Sequence, residues 1–511
     1  YRRMNGFRKF VNQIVPQTSS ASEKIIGVAN FANKVVACRG EKIFNAGSTE
    51  LSVAIPLNQS MTGSGTIQVI SVAGFTASGT LQINDEIFTY TGISSTVRPN
   101  ELTGVTRATS ATNAALHFGG VTVSSTWTQI DTGRTNAVKY RFERFNYNGT
   151  DKILFVDETN APVVFDSSFN AVDISNAAVA GSKFIASFKD HMFFAGKSTT
   201  PQELVFSEGF NEDGFSASAT QPAGSIKVDD TITGLKVFRD SLFIFCENRI
   251  FKLTGVSSST FAVTPVTRRI GCINGDTIQE FAGDLVFLGP DGLRTVAATS
   301  KIGDTELGTI SKNVQSIFDA NIKDSARFES VVITDKTQYR IFFTKDGQAE
   351  AITRGITCVM KADGFEFSEI RGIKPTATDT LVNAGDVIVL HGDSSGFIQR
   401  QEKGDTFDGT PVLGKYRSSD LSFGDTGIRK HMQRVIVNYK PESAITAQLL
   451  VRYDNENSDS TRPAPYILDS SEVAAQFGTA TFSTAGGAVR FVFGGPSQPL
   501  IRQSVEGSGF S

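Results

Sequence analysis

The sequence predicts an all-β fold: a six- to seven-bladed β-propeller with an inserted small β-module and a C-terminal β-sandwich-like domain. The composition favours strands joined by turns, because 40 Phe stand against one Trp and five Met and Gly, Ser, Thr and Asn are abundant. Short apolar hairpins recur along the chain at intervals of about 40–50 residues, which is the period of a four-stranded propeller blade. A chain of 511 residues is also too long for one core, so several folding units are expected.

Six predicted hairpins each open on an aspartate and consist of an apolar strand, a turn and, in most, a second apolar strand. Asp-Gly, Pro-Asp-Gly or Asn supplies the turns, because these residues favour the required backbone. The hairpins begin at Asp151, Asp190, Asp240, Asp284, Asp335 and Asp386, and the fifth turns at 345–347. Apolar strands at 184–188, 232–238, 277–281 and 327–333 precede four of them. Each blade is therefore expected to consist of a strand, a tight turn, a buried strand, a hairpin and an outer strand.

Unrelated hairpins stacked in β-sandwiches are the alternative arrangement, and the even spacing favours the propeller. An earlier pair of apolar stretches, at 34–39 and 41–44, either closes the ring together with an N-terminal strand or supplies a further blade. The expected domains are an N-terminal segment with the first propeller strands at 1–50, the inserted β-module at 51–128, the β-propeller at 129–410 and the C-terminal β-sandwich-like domain at 411–511.

The inserted segment is low in charge and rich in Thr, Ser and Gly, and apolar and polar residues alternate from Glu86 to Tyr90. This pattern is typical of a small β-module that faces water on one side, placed in a propeller loop. The C-terminal sandwich is predicted from long apolar or alternating runs. They lie at 432–439, 444–453, 480–482 and 488–493.

One short helix is expected after the fourth hairpin, packed on the rim of the propeller. Thr309 or Ser311 would cap its N-terminus. Val314, Ile317 and Phe318 fall on one helical face.

The charge pattern excludes one class of function. The formal net charge is −3, and no long Lys/Arg run provides the footprint of sequence-specific DNA binding. A mildly acidic surface remains compatible with a conduit through which DNA slides. No apolar stretch approaches 18 residues, so no membrane span is predicted. No apolar core follows the first four residues, so no signal peptide is predicted. The sequence lacks an initiator Met and ends abruptly at 509–511, as if inside a strand, so the chain is expected to be a fragment.

No catalytic, cofactor-binding or metal-binding residue is predicted, no cofactor is implied, and the chain is expected not to be an enzyme. No two histidines have metal-ligand spacing, and no G-x-S-x-G elbow occurs. The scattered cysteines are interpreted as buried free thiols of a protein that folds in a reducing cytoplasm. The histidines are His117, His191, His391 and His431, and the cysteines are Cys38, Cys246, Cys272 and Cys358.

Acidic residues between 203 and 213 are the set that a glycosidase would need, since such enzymes place two carboxylates over a sugar pocket. The candidates are Glu203, Glu208, Glu212 and Asp213. A solvated loop at a blade edge is the favoured interpretation, because charged turn residues usually face solvent. The single Trp, Trp127, is expected in the insertion, which leaves few aromatic platforms for a carbohydrate.

A series of motifs shares its order and spacing with one protein family. The motifs are PQELVFSE at 201–208, GSIKV at 224–228, ITGL at 232–235, DSLFIF at 240–245, RIFKLTG at 249–255, GCIN at 271–274, GDLVFL at 283–288, DGLR at 291–294, ISKNV at 310–314, GDSSG at 392–396 and GSG at 507–509. They resemble the tail nozzle, or tail hub, proteins of short-tailed bacteriophages, including the tail tubular protein B type. The resemblance covers residues 150–400 well and the C-terminal part loosely. The insertion, with EIFTYT at 86–91 and LTGVTR at 102–107, is similar to a module of marine phage virion proteins.

The resemblance implies a structural virion protein of the phage tail, assembled in the host cytoplasm during viral tail assembly. It implies a homo-oligomeric ring, typically a homohexamer, at the distal end of the tail below the adaptor protein. Tail fibres or spikes would attach to it, and genomic DNA would pass non-specifically through its channel during DNA ejection. Two alternatives stay open: a receptor-binding or glycan-cleaving propeller on the virion surface, and a neck or head-completion protein.

Overall fold

The computed structural model divides the chain into two compact units, Tyr1–Leu413 and Gly414–Ser511. It describes residues 4–17, 24–96, 100–135, 137–218, 220–297, 309–322, 325–345, 353–361, 364–383, 386–418, 421, 424, 434–439, 446–451, 466–469 and 501–506. The first unit is a β-propeller, as the sequence predicts.

Blade I follows a short N-terminal strand, β1 (Phe7–Lys9). Its strands are β2 (Ile25–Phe31), β3 (Lys34–Arg39) and β4 (Lys42–Glu50). The chain then enters the inserted module, which contains β5 (Thr62–Val69), β6 (Gly79–Ile83), β7 (Glu86–Tyr90), β8 (Gly92–Ser94), β9 (Asn100–Thr106) and β10 (Thr122–Ser125). It returns as β11 (Thr128–Asp131), which pairs with β4 and completes blade I. The early apolar pair at 34–39 and 41–44 therefore supplies a further blade.

Blades II, III and IV are four-stranded antiparallel sheets whose strands follow one another in the chain. Blade II contains β12 (Arg141–Tyr147), β13 (Thr150–Val156), β14 (Val163–Asp166) and β15 (Ala171–Asp173). Blade III contains β16 (Phe184–Phe188), β17 (His191–Ala195), β18 (Glu203–Phe206) and β19 (Gly224–Lys227). Blade IV contains β20 (Ile232–Phe238), β21 (Ser241–Cys246), β22 (Ile250–Thr254) and β23 (Ala262–Thr267).

Blades V to VII complete the ring. Blade V contains β24 (Gln279–Phe281), β25 (Asp284–Gly289) and β26 (Gly292–Thr295), and the helix α1 (Gln315–Ile322) packs beside β26. Blade VI contains β27 (Ser325–Ile333), β28 (Gln338–Lys345), β29 (Arg354–Lys361) and β30 (Gly364–Ile370). Blade VII contains β31 (Ala377–Asn383), β32 (Asp386–Gly392) and β33 (Ile398–Gln401), and the sheet ends with β34 (Thr406–Phe407) and β35 (Thr410–Pro411).

The N-terminal strand β1 closes the ring. It pairs antiparallel with β33, with Phe7 opposite Gln401, and becomes the fourth strand of blade VII. The first strands of neighbouring blades contact one another from β2 to β20 and from β24 through β31 back to β2, and between blades IV and V the 3₁₀ turn Gly275–Thr277 contacts β20. Six sheets belong to the propeller alone, and the seventh, in blade I, is shared with the module. The predicted six- to seven-bladed propeller is therefore confirmed.

The apolar residues of the hairpins pack between neighbouring blades. Seven core clusters of the described residues each join one blade to the next around the ring. Between blades III and IV, the rings of Phe188, Phe193, Phe206 and Phe261 lie with centroids 5.4–6.2 Å apart, at which aromatic pairs attract beyond simple burial. The middle strands β17 and β21 are buried along their whole length. The many Phe side chains thus fill the spaces between neighbouring blades.

The inserted module has its own core and closes on itself. Fourteen buried residues between Leu51 and Val123 form one cluster. The end of β5 meets the end of β4, because the backbone N–H of Ser52 donates to the carbonyl of Gln68 at 2.8 Å and that of Ile70 donates to the carbonyl of Glu50 at 2.9 Å. This closure removes exposed strand edges from the module.

The ring closure contains a histidine, His391 on β32, whose imidazole meets the ring of Phe7 edge-on with centroids 5.0 Å apart. Burial lowers the pKa of His391 to about 3, so the imidazole is neutral in the folded protein. The unfolded chain takes up this proton near pH 6.5. Since the unfolded state binds more protons, stability falls as the pH drops below that value, by about 1.4 kcal/mol per pH unit.

We expect His391→Gln to remove this part of the pH dependence. Denaturant unfolding of both proteins between about pH 7 and pH 5 measures the difference. Identical pH slopes for the variant and the parent would contradict the prediction.

Several local predictions need correction. Asp335 lies in a 3₁₀ turn, Thr334–Lys336, and the strand begins only at Gln338, because Thr337 adopts a left-handed conformation with φ of 50° that interrupts an extended run. Ser311 precedes the 3₁₀ turn Lys312–Val314 that leads into α1, but its side chain makes no capping bond. Its hydroxyl accepts instead from the N–H of Leu293. The predicted turn at 345–347 lies largely outside the described residues.

Trp127, expected in the insertion, packs on the propeller core between blades I and VII, and its indole donates to the carbonyl of Gln13 at 3.0 Å. In the second unit, β36 (Arg434–Tyr439) pairs with β39 (Ile501–Glu506), and β37 (Thr446–Leu449) pairs with β38 (Tyr466–Asp469). The strands expected at 480–482 and 488–493 lie outside the described residues. The C-terminal sandwich and the four domain boundaries stay predictions.

Candidate functional site

The propeller axis holds a group of charged side chains, which we call the axial cluster: Lys139, Arg141, Asp276, Glu329 and Glu158. Arg141 is the first residue of β12, the innermost strand of blade II, and Lys139 lies just before it. Glu329 lies on β27, the innermost strand of blade VI. Glu158 follows β13 of blade II. Innermost strands surround the axis, so alternate side chains along them meet there.

Asp276 reaches the axis from a 3₁₀ turn, Gly275–Thr277, just before β24 of blade V. The side chain of Asn274 caps this turn and accepts from the N–H of Asp276 at 2.8 Å. Gly275 is required there, because a Cβ would lie 2.4 Å from the carbonyl oxygen of Thr233. The turn thus fixes the carboxylate of Asp276 against blade II.

The axial cluster joins blades that are not neighbours. Arg141 donates to both carboxylate oxygens of Asp276, with Nε 2.7 Å and a terminal nitrogen 2.9 Å away. Lys139 Nζ lies 2.8 Å from Asp276 and 2.5 Å from Glu329. The other terminal nitrogen of Arg141 donates to Glu158 at 2.7 Å. Ion pairs between blade II and blades V and VI therefore cross the axis.

A second contact ties the first and last blades to blade II. Arg144 on β12 forms an ion pair with Asp379 on β31, and its Nε donates to the carbonyl of Asn30 at 2.7 Å. Asp379 in turn accepts from the N–H of Asn30 at 2.8 Å. Three inner strands, from blades I, II and VII, are thereby locked at one level of the axis.

Burial and the neighbouring positive charges shift the pKa values of these carboxylates in opposite directions. Burial alone would raise the pKa of Asp276, but Arg141 and Lys139 outweigh it and hold this pKa well below its usual range. Burial raises the pKa of Glu329 despite the nearby Lys139, and it raises the pKa of Asp379 despite Arg144. Arg141 and Lys139 therefore stabilise the charged form of Asp276, which binds both cations.

The carboxylates that a glycosidase would need have other partners. Glu208 accepts from the N–H of Ser216 at 2.8 Å within its own loop. Glu212 is buried and pairs with Lys152 of blade II at 2.5 Å. Asp213 is exposed, and Glu203 lies on β18 opposite Lys227. The acidic side chains therefore hold the loop in place. The prediction of a solvated loop is only partly right, since Glu212 is buried.

The histidines and cysteines do not meet within the described part of the chain, where no group of three or more His, Cys, Asp or Glu could hold a metal ion. His117, His191 and His391 lie buried in different parts of the molecule; His431 is outside the described residues. All four cysteines are free and buried, as predicted. Burial raises the pKa of Cys272 and of Cys358 to about 12, so these thiols are inert.

The module contains a buried ionic group that the sequence reasoning missed. Glu86 accepts from Nε and a terminal nitrogen of Arg107, both at 2.9 Å, and lies 2.8 Å from Nε2 of His117. It also accepts from the N–H groups of Ala108 and Ala115. Burial alone would raise the pKa of Glu86, but the bonds from Arg107 and His117 lower it. Glu86 begins the motif EIFTYT, and Arg107 ends the motif LTGVTR. These two opposite charges were the sequence signal for the buried ion pair.

Among the described residues, no helix is both long and apolar enough to cross a bilayer.

No family model and no curated protein matches the sequence. Among solved structures, the chain is similar to Hsv2 of Kluyveromyces lactis, with 8% identity over 68% of this chain and 98% of that chain and a TM-score of 0.29. It is also similar to an ancestral GH74 enzyme, with 9% identity over 73% and 55% of the two chains and a TM-score of 0.36. An auxiliary nutrient-binding protein from Bacteroides thetaiotaomicron matches with 8% identity over 75% and 98% and a TM-score of 0.28.

Proposed function

We propose that this chain is a non-enzymatic virion protein that forms the nozzle or hub ring at the distal end of a short phage tail. The order of the motifs between residues 201 and 314 supports the family assignment. The observation that carries the mechanical role is the axial cluster, in which Arg141 and Lys139 bind Asp276 across the axis. Cross-axis ion pairs make each propeller a closed, rigid block.

A closed propeller axis determines where DNA would pass. Since side chains bridge the axis at hydrogen-bonding distance, the DNA exit channel of the proposed ring lies between subunits, along the symmetry axis of the ring. Identical subunits that use heterologous contacts close into such a ring. In this proposal the tail adaptor binds one side of the ring, and fibres or spikes bind its periphery.

Native mass spectrometry and electron microscopy of the purified chain test the proposal. We expect a closed ring of identical subunits with one axial opening, and, in labelled virions, a position at the distal end of the tail. A monomer that binds or hydrolyses bacterial polysaccharide would overturn it, above all if Glu208→Gln abolished that activity. A position beside the portal would favour a neck or head-completion protein.

A further inference from the structure

A cavity of about 200 Å³ opens to solvent between blades IV and V. It lies beside the turns that join β20 to β21 and β24 to β25. Phe238, Phe243 and Val296 form its apolar part, and all three are buried. An engineered apolar cavity of about 150 Å³ is large enough to hold benzene. This cavity can therefore receive one apolar or aromatic side chain.

Two cationic side chains line the same cavity. Arg239 directly follows β20, with its guanidinium 4.9 Å from the ring centre of Phe238, and it donates to the carbonyl of Gly283 at 2.5 Å. Lys252 lies on β22 opposite Phe243. Within the part of the chain that the structure describes, neither of these two side chains forms an ion pair. Both positive charges are therefore available to a ligand.

One acidic side chain, Asp284, also lines the cavity, but backbone groups bind both of its oxygens. Oδ1 accepts from the N–H of Leu285 at 2.8 Å, and Oδ2 accepts from the N–H of Ala297 at 3.0 Å. Backbone donors stabilise a carboxylate where it stands. The cavity thus combines two cations with one acid that is already hydrogen-bonded, and this balance favours an anionic ligand.

We propose that this cavity binds a peptide segment of a partner protein in which an apolar side chain lies next to a carboxylate. The apolar side chain packs against Phe238 and Phe243, and the carboxylate pairs with Arg239 and Lys252. Buried apolar surface supplies most of the affinity at such a site, and the few polar groups orient the ligand. The cavity lies within one chain, so the inference does not rest on the proposed ring.

An acidic sugar also offers a carboxylate, but it fits this cavity less well. Its hydroxyl groups lose their bonds to water on binding and need polar partners in return. Apart from the charged side chains already named, the cavity is lined by Phe238, Phe243, Val296 and Ala297, which supply no side-chain donor or acceptor. A peptide with an apolar side chain leaves fewer polar groups without a partner.

Saturation-transfer difference NMR on the full chain tests the inference with small probes. N-acetylphenylalanine carries both the ring and the carboxylate, its amide lacks the charge, acetate lacks the ring, and glucuronate represents an acidic sugar. We expect N-acetylphenylalanine to bind with a Kd on the order of 1 mM, as is usual for a ligand of this size. The other three should bind at least about tenfold more weakly. Added salt should weaken the binding of N-acetylphenylalanine, because it screens the charges.

Two variants separate the charge from the apolar surface. Arg239→Gln combined with Lys252→Met should weaken the binding of N-acetylphenylalanine about tenfold and leave that of its amide unchanged. Ala297→Phe adds a bulky side chain at an exposed position of the lining and should weaken the binding of both. Arg249→Gln is the control, because Arg249 pairs with Asp229 outside the lining, and it should change neither. Unfolding midpoints measured alongside verify that each variant is folded.

Equal affinities for N-acetylphenylalanine and its amide would overturn the inference, because Arg239 and Lys252 would then not select a carboxylate. No binding at about 10 mM would overturn it as well, and so would acetate that binds as tightly as N-acetylphenylalanine. Tighter binding of glucuronate would assign the cavity to an acidic sugar instead of a peptide. All of these outcomes are independent of whether the chain forms a ring, so the failure of this inference and the failure of the proposed function can be told apart.

Discussion

Replacing Asp276 with Asn is expected to destabilise the propeller by about 3–5 kcal/mol, the usual cost of removing one partner of a buried ion pair. Arg141 would lose the negative charge of Asp276 and keep only Glu158, and Lys139 would keep only Glu329. The midpoint of urea unfolding at neutral pH measures this loss. Asn is close to Asp in size and shape, so the change isolates the charge.

The destabilisation caused by Asp276→Asn is also expected to depend on pH. Because the folded protein holds the pKa of Asp276 below its ordinary value, the stabilisation is present above the unfolded pKa of about 4 and is lost as the pH falls through the folded value. The difference between the parent and Asp276→Asn should therefore shrink below about pH 4.

Asp240→Asn is the matched control, since Asp240 is 81% exposed and pairs with Lys189 at the surface. It should change stability by less than about 0.5 kcal/mol. Equal effects of the Asp276 and Asp240 substitutions would contradict the structural role of the axial cluster.

Glu86→Gln is expected to open the inserted module while the blades of the propeller stay folded. The substitution removes the charged partner of the buried Arg107, a loss of about 3–5 kcal/mol. The module has a separate core, so we expect local opening. Hydrogen exchange should accelerate about 100-fold or more at amides of β6, β7 and β9, with little change in blades III and IV.

Glu101→Gln serves as its control, because Glu101 is only half-buried and accepts from Gln68 at 3.2 Å. Its effect on exchange should be small. Unchanged protection in Glu86→Gln would mean that the ion pair with Arg107 contributes little to the module.

The blades could be predicted because the residues that pair within a blade lie close together in the sequence. The predicted strands at 184–188 and 232–238 coincide with β16 and β20, since a meander pairs each strand with its neighbour in sequence. The closure of the ring could not be predicted in the same way. Phe7 pairs with Gln401, and no local pattern in a three-residue strand identifies a partner so far away in the chain.

The axial cluster was missed for a different reason. Lys139, Asp276 and Glu329 are widely separated in sequence, and isolated charges usually indicate a solvated surface. The available signal lay in β12, where Arg141 and Glu143 alternate with Phe142. In an innermost strand this alternation places charges on one face, which points to the axis once the propeller is known.

A cryo-electron microscopy map of the native assembly tests the proposed ring most directly. We expect a closed ring of identical copies with a DNA-sized opening on the symmetry axis, and with the axis of each propeller closed by the contacts of Arg141 and Lys139 with Asp276. Separate single chains, or an open passage through the axis of each propeller, would contradict it.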